Sequence, residues 1–243
     1  MRQYSIDARN IKNPIYPCPI QMGGKNANGQ MLSIGNYYLS LDGKPFFGIC
    51  GEAHFSRINR ELWEDEIIKM KAGGLNMIAT YIFWIHHEEI EGTFDFSGNK
   101  DLRLFLELCK KNHMYVILRI GPFSHGECRN GGFPDWIYGQ PFDIRCDDPS
   151  YLYYTRRFYE QIYQQAKGLL FKDNGPVIGV QLENEHEHAS CPWEMTTENS
   201  KEWVVSGHDG KNHMSTLKKI AKEVGFDVPL YTATAWGGAC APE

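Results

Sequence analysis

A chain of 243 residues, 42% of them hydrophobic, holds enough apolar material for one large globular domain or two small ones. Its formal net charge of −5 is spread without a basic stripe, which argues against nucleic acid or an anionic membrane surface as partner and favours small neutral ligands. No apolar run approaches the length of a membrane span.

Residues 1–36 are rich in Asn, Gly and Pro and lack sustained periodicity, which reads as an irregular lead-in to a unit over residues 37–243. This opening stretch has no signal-like apolar segment, so the sequence as given predicts a cytoplasmic protein; a leader ahead of Met1 would make it secreted or periplasmic. The seven cysteines are odd in number, lie far apart and include no C-x-x-C pair, which predicts free thiols. From Tyr37, two alternating apolar runs flank Asp42-Gly43, the signature of a β-hairpin, and its second arm is expected to become the first strand of a larger sheet.

Beyond the hairpin the chain alternates short β-branched or aromatic runs with helical patterns. Strands are expected at about 46–54, 77–84, 115–123, 176–185 and 229–235, and helices at 60–72, 101–112, 151–170 and 214–224. In the first helix Leu62, Ile67 and Met70 mark an apolar stripe, and Gly73-Gly74 supplies the stop. Repeated strand and helix units of this kind imply right-handed crossovers and a parallel sheet, either doubly wound or closed into a barrel. The first strand runs into Gly51-Glu52-Ala53-His54-Phe55-Ser56-Arg57 in place of a Gly-rich phosphate loop, which favours a (β/α)8 TIM barrel. Five units do not close eight strands, and three more need on the order of a hundred further residues. The sequence therefore reads as the N-terminal portion of an α/β barrel, truncated after about five units.

Barrel active sites gather at the C-terminal strand ends. The first end carries Glu52, His54 and Arg57; the second Tyr81, Trp84, His86, His87 and Glu88; the third leads through Arg119 and Phe123 to His125 and Glu127. The fourth ends Glu183-Asn184-Glu185-His186, and the fifth brings Thr232, Thr234 and Trp236. Carboxylates, an amide and aromatic rings on one rim suit a sugar, since carboxylates protonate and displace at an acetal while ring faces stack on a pyranose. Polar loops at the rim of any barrel are the plainer alternative.

Four blocks, 51–57, 63–84 (WEDEIIKMKAGGLNMIATYIFW), 119–136 (RIGPFSHGECRNGGFPDW) and 174–185 (NGPVIGVQLENE), resemble in order and spacing the family 35 glycoside hydrolases, the β-galactosidase family. The resemblance implies a retaining glycosidase that acts by double displacement on terminal β-galactosides or galactose-containing oligosaccharides, with no cofactor and no metal. It assigns Glu185 as general acid and then base, Asn184 to the sugar 2-hydroxyl, and Tyr81 and Glu127 to other galactose hydroxyls. It places the nucleophile, a Glu at the end of the seventh strand, beyond residue 243. The two carboxyls of a retaining pair stand about 5 Å apart, so no sequence neighbour of Glu185 takes that part.

Glu183 alternates with Glu185 and is expected to point the same way, as a supporting or sugar-binding group. Ile85, Glu89 and Cys128 depart from the family's usual Asn, Pro and Trp, and His186-Glu187-His188 replaces its usual Tyr-Gly. Trp84 and Trp136 are read as packing residues with sugar stacking as the alternative; Arg57 and His54 are divided between binding substrate and holding a neighbouring carboxylate. His86-His87-Glu88 and His186-Glu187-His188 lack H-E-x-x-H spacing, which leaves hydrogen-bonding histidines ahead of a metal site. Two further readings remain open: a carbohydrate-binding protein without chemistry, and a fragment inactive alone.

Overall fold

The structure, a computed structural model, describes residues 5, 14–16, 25–186, 193–197, 203–207 and 210–233. Asp42 and Gly43 hold positive φ (53° and 73°), the geometry of a two-residue hairpin turn between strands β2 (Leu39–Leu41) and β3 (Lys44–Phe46). The expected irregular lead-in gives way at its end to a further strand, β1 (Leu32–Ile34), which pairs antiparallel with β2. Its reason is burial: Leu32 joins Met77, Phe171 and Ile178 in a small apolar cluster flanked by Phe46, Tyr115 and Ile117. The three-stranded sheet thus covers the end of the larger sheet where those strands begin.

The hairpin does not run into the larger sheet as expected. After Phe46 the chain breaks away, and Asn76 holds the break by donating to Phe47 O and accepting from Ile49 N, both at 2.8 Å. The first parallel strand is the shorter β4 (Cys50–Glu52). It is followed by β5 (Met77–Tyr81), β6 (Tyr115–Gly121), β7 (Val177–Leu182) and β10 (Leu230–Tyr231), all parallel and adjacent in chain order. A doubly wound sheet reverses strand order at a switch point, whereas sequential order on one side is how a barrel wall grows. The sheet supplies five consecutive strands of a (β/α)8 wall.

The crossover helices are α1 (Trp63–Ala72), α3 (Leu102–Lys111), α4 (Pro149–Ala166) and α5 (Gly210–Val224). Helix α1 buries Trp63 and Ile67, while Leu62 of the expected stripe lies 48% exposed just ahead of it. The Trp63 indole explains the shift, because it donates to Phe55 O and Ile58 O, both at 3.0 Å, and anchors the helix under the first rim loop. Asp101 caps α3 through Leu104 N, and Asp148 caps α4 ahead of Pro149, so both helices begin where their backbone donors find a carboxylate. A single helical turn, α2 (Trp84–His87), leads away from β5. The antiparallel pair β8 (Trp193–Thr197) and β9 (Trp203–Gly207) lies between β7 and α5, where the repeating grammar predicted no strands.

Candidate active site

Parallel register places Tyr81, Arg119 and Gln181 side by side across β5, β6 and β7. Register partners face the same side of a sheet, so these three polar groups meet near the strand ends. Just beyond, β7 stops at Leu182 and the chain turns through Glu183-Asn184-Glu185. Glu183 and Glu185 hold φ of 54° and 48°. That left-handed conformation costs a non-glycine residue on the order of 1 kcal/mol, so surrounding contacts must hold it.

The turn breaks the period-two alternation, and the two carboxylates do not point alike as expected. Glu183 is directed into the protein, where Arg145 grips it with Nε to Oε1 at 3.0 Å and Nη2 to Oε2 at 2.6 Å. The two side chains are 0% and 1% exposed, which removes Glu183 from the sugar-binding candidates. Glu185 is half-buried and anchored by its N–H to Ala233 O at 3.0 Å. Its charge reaches Tyr81.

Asn184 is the most heavily constrained residue of the site. Its Oδ1 accepts from Arg119 Nη2 at 2.9 Å, Tyr81 Oη at 3.1 Å and Gln181 Nε2 at 3.2 Å. A guanidinium can only donate, so the Arg119 contact identifies the oxygen end of the amide and turns Nδ2 to the other side. Arg119 also lies over the Tyr81 ring, 3.7 Å from its centroid, and pairs through Nη1 with Glu52 at the end of β4. Burial pushes the Tyr81 phenol up to about 12, with Arg119 opposing and Glu52 and Glu185 adding to the rise. Tyr81 is therefore a neutral hydrogen-bond donor at ordinary pH. Four adjacent strands converge here, through Glu52, Tyr81, Arg119 and Asn184-Glu185.

Glu127 reaches the rim from the loop after β6. Ser124 and His125 both donate their N–H to Gly131 O, at 2.8 and 3.1 Å, and coil the loop tightly with Glu127 exposed near its tip. Gly126, at φ 53°, lets the coil rest on the aromatic rings, since a Cβ there would stand 2.9 Å from Phe83 and 3.0 Å from Tyr81. His54 lies 5.0 Å from the Tyr81 ring. Burial chiefly lowers its imidazole pKa, Arg57 and Arg119 lower it further, and Glu52 and Glu127 raise it. Arg57 packs over Phe83 at 4.4 Å, and its charge lowers the Cys128 thiol pKa that burial raises. A cavity of about 420 Å³ opens beside Glu127, lined by Phe123, Cys128, Asn130 and Tyr138.

Other rim candidates belong to the core. Trp84 is fully buried, stacked on Phe158 with ring centroids 4.7 Å apart, and donates to Glu88 Oε2 at 2.7 Å. Trp136 donates to Glu88 O at 2.8 Å and meets Trp84 edge to face. Packing thus accounts for both indoles, and the stacking alternative falls for the enclosed Trp84. Glu88 is itself buried and receives Gly92 N at 2.7 Å and Arg157 Nη2 at 3.0 Å. His87 lies between Phe55 and Phe96, where burial holds its imidazole pKa at about 4. His86 Nδ1 meets Ser56 Oγ at 2.8 Å. These three consecutive side chains diverge, and among the described residues no group of three or more His, Cys, Asp or Glu could hold a metal ion.

His186 is buried with Nε2 2.8 Å from Arg145 O. Glu187, His188, Thr234, Trp236 and Glu243 lie outside the described residues, as do Cys18, Cys191 and Cys240. Cys50, Cys109 and Cys128 are free thiols.

Two arginines matter more than the sequence reading allowed. Arg119 sits inside the apolar strand Tyr115–Gly121, and a charge in such a run is a signal of its own. Arg145 lies in an irregular stretch with no periodicity to mark it.

The model of the family described as glycosyl hydrolases family 35 matches residues 38–234. A β-galactosidase of Xanthomonas manihotis is 37% identical over 169 residues, covering 69% of this chain and 28% of that protein. The β-galactosidase of Homo sapiens is 39% identical over 167 residues, covering 68% and 25%. The chain thus spans about a quarter of the length of these curated relatives. Among solved structures, an exo-β-1,4-mannosidase from Opitutaceae bacterium strain TAV5 superposes with TM-score 0.54 at 15% identity, over 85% of this chain and 33% of that one. A GH5_18 protein from Bifidobacterium longum subsp. infantis gives 0.52 at 11%, over 74% and 40%. At such identity these two likenesses speak to the fold alone.

Proposed function

The chain belongs to glycosyl hydrolase family 35, and on that premise we propose that the full-length gene product is a retaining β-galactosidase. It hydrolyses terminal β-galactosides or galactose-containing oligosaccharides by double displacement. The observation that carries this reading is the three-donor clasp on Asn184 Oδ1 beside Glu185. With its oxygen held by Arg119, Tyr81 and Gln181, the amide presents Nδ2 as a donor for the sugar 2-hydroxyl. That contact strengthens as the anomeric carbon gains positive charge in the transition state.

Glu185 protonates the glycosidic oxygen while a carboxylate on a later strand of the closed barrel, beyond residue 243, attacks the anomeric carbon from the opposite face. The C–O bond to the leaving group breaks, the departing alcohol keeps the proton, and a covalent galactosyl-enzyme forms with inversion. Glu185, now ionised, takes a proton from water as that water attacks the same carbon, and the second inversion restores the β configuration. Glu127 and Tyr81 bind other galactose hydroxyls. A buried or charged partner for each hydroxyl discriminates strongly against epimers, since the wrong sugar leaves that partner unpaired.

Proton NMR of the full-length protein turning over an aryl β-galactoside reads the stereochemistry directly. β-Galactose as the first product, followed by mutarotation, supports the reading. α-Galactose first would contradict it, and galactose binding without turnover would favour a carbohydrate-binding protein without chemistry.

A further inference from the structure

Beyond strand β7, the turn carrying Asn184 and Glu185 has left-handed backbone at two of its three residues. Such a turn persists only where its surroundings fix it. Several contacts fix it, among them Glu183 N to Gly121 O and Glu185 N to Ala233 O, and one guanidinium reaches all three of its residues. Arg145 Nη2 donates to Glu183 Oε2 at 2.6 Å, to Asn184 O at 3.0 Å and to Glu185 O at 3.3 Å, while Nε donates to Glu183 Oε1 at 3.0 Å. It therefore grips all three residues of the turn, two of them by their main chain. Arg145 is itself held, with its Cζ 3.7 Å from the Phe123 ring centroid and its carbonyl 2.8 Å from His186 Nε2. Two residues on, Asp147 meets His213 Nδ1 at 2.9 Å and Thr216 Oγ1 at 3.1 Å on α5.

We propose that Arg145 is a positioning residue for the acid/base carboxylate, acting through Glu183 and the main-chain carbonyls of Asn184 and Glu185. The inference rests on the assignment of Glu185 as the proton donor. Arg145 touches no substrate; it sets the direction in which the Glu185 side chain leaves the turn. Lysine cannot reproduce this grip, because an ammonium is a point charge without the planar fork that spans carboxylate and carbonyls together. A displacement of about 1 Å in a reacting group costs on the order of a hundredfold in rate.

A proton donor matters most when the leaving group is a poor one, which gives a readout that a merely structural role would not move. In the full-length protein, kcat/KM is measured for aryl β-galactosides from phenyl to dinitrophenyl, for the wild type, Arg145→Lys and Glu185→Gln. Arg145→Lys is expected to lose on the order of a hundredfold with the phenyl substrate and to stay close to wild type with the dinitrophenyl one. Equal loss on both substrates, or no loss on either, overturns the role of Arg145 when Glu185→Gln keeps the leaving-group dependence. A Glu185→Gln profile without that dependence overturns the underlying assignment instead. If Arg145→Lys does not fold, Arg145→Met/Glu183→Met replaces the buried pair with apolar side chains of similar size. It is judged by the same comparison.

Discussion

Tyr81 Oη donates to Asn184 Oδ1 across 3.1 Å, tying the end of β5 to the end of β7 over the intervening β6. This bond belongs to both packing and chemistry. The phenol is 5% exposed and its burial favours the neutral, donating form, while its acceptor is the amide read as the ligand of the sugar 2-hydroxyl. Tyr81 thus steadies a neighbour as well as standing among the proposed sugar contacts.

Tyr81→Phe removes one of the three donors on Asn184 and leaves Arg119 and Gln181 in place. Losing a single buried hydrogen bond costs about 1 kcal/mol of stability. In kcat/KM on an aryl β-galactoside the expected loss is about tenfold, equivalent to 1.4 kcal/mol of transition-state stabilisation. Wild-type kcat/KM in the folded variant would remove Tyr81 from the site.

Arg157→Met is expected to separate fold from function. Glu88 is 0% exposed and Arg157 is its charged partner, so the substitution leaves a buried carboxylate with only the Trp84 and Gly92 donors. Breaking one side of a buried ion pair costs about 3 kcal/mol or more. Urea unfolding should report that loss while kcat/KM of the folded enzyme stays at the wild-type value. A shift below about 1 kcal/mol would show that the neutral donors suffice to hold Glu88.

His87 predicts a pH dependence of stability. Its imidazole is held at about 4 by burial, below the ordinary 6.5, so the folded state resists a proton that the unfolded chain accepts. Stability therefore falls as pH drops from about 6.5 to about 4, by on the order of 3 kcal/mol, and this contribution is fully present above that window. His87→Phe keeps a ring between Phe55 and Phe96 and abolishes the titration. As pH falls from 7 to 4 the melting temperature of the wild type should drop relative to that of the variant. A constant difference from pH 4 to 7 would contradict the assignment.

Much of the scaffold is legible in the sequence because it rests on local patterns. Asp42-Gly43 is a turn by backbone chemistry alone, and β5, β6 and β7 are apolar runs long enough to recognise. What escapes is whatever depends on distant partners. β1 has three residues, too few for periodicity, and exists because Leu32 finds Met77 and Ile178. Glu183 looked like a second rim carboxylate because strand alternation was carried past Leu182, where Glu183 N already bonds Gly121 O at 2.7 Å. Arg145 stands 38 residues from Glu183, and no local pattern marks the pair. His87 and Glu88 look like rim residues until Phe96, Arg157 and Trp136 close around them.

Chemical rescue tests the role of Glu185 most directly. In the full-length Glu185→Ala variant a dinitrophenyl β-galactoside still forms the galactosyl-enzyme, but water then attacks without its base and turnover stalls. Added azide needs no base: it should raise kcat with concentration and yield β-galactosyl azide. Turnover insensitive to azide, with no galactosyl azide formed, would contradict Glu185 as the acid/base.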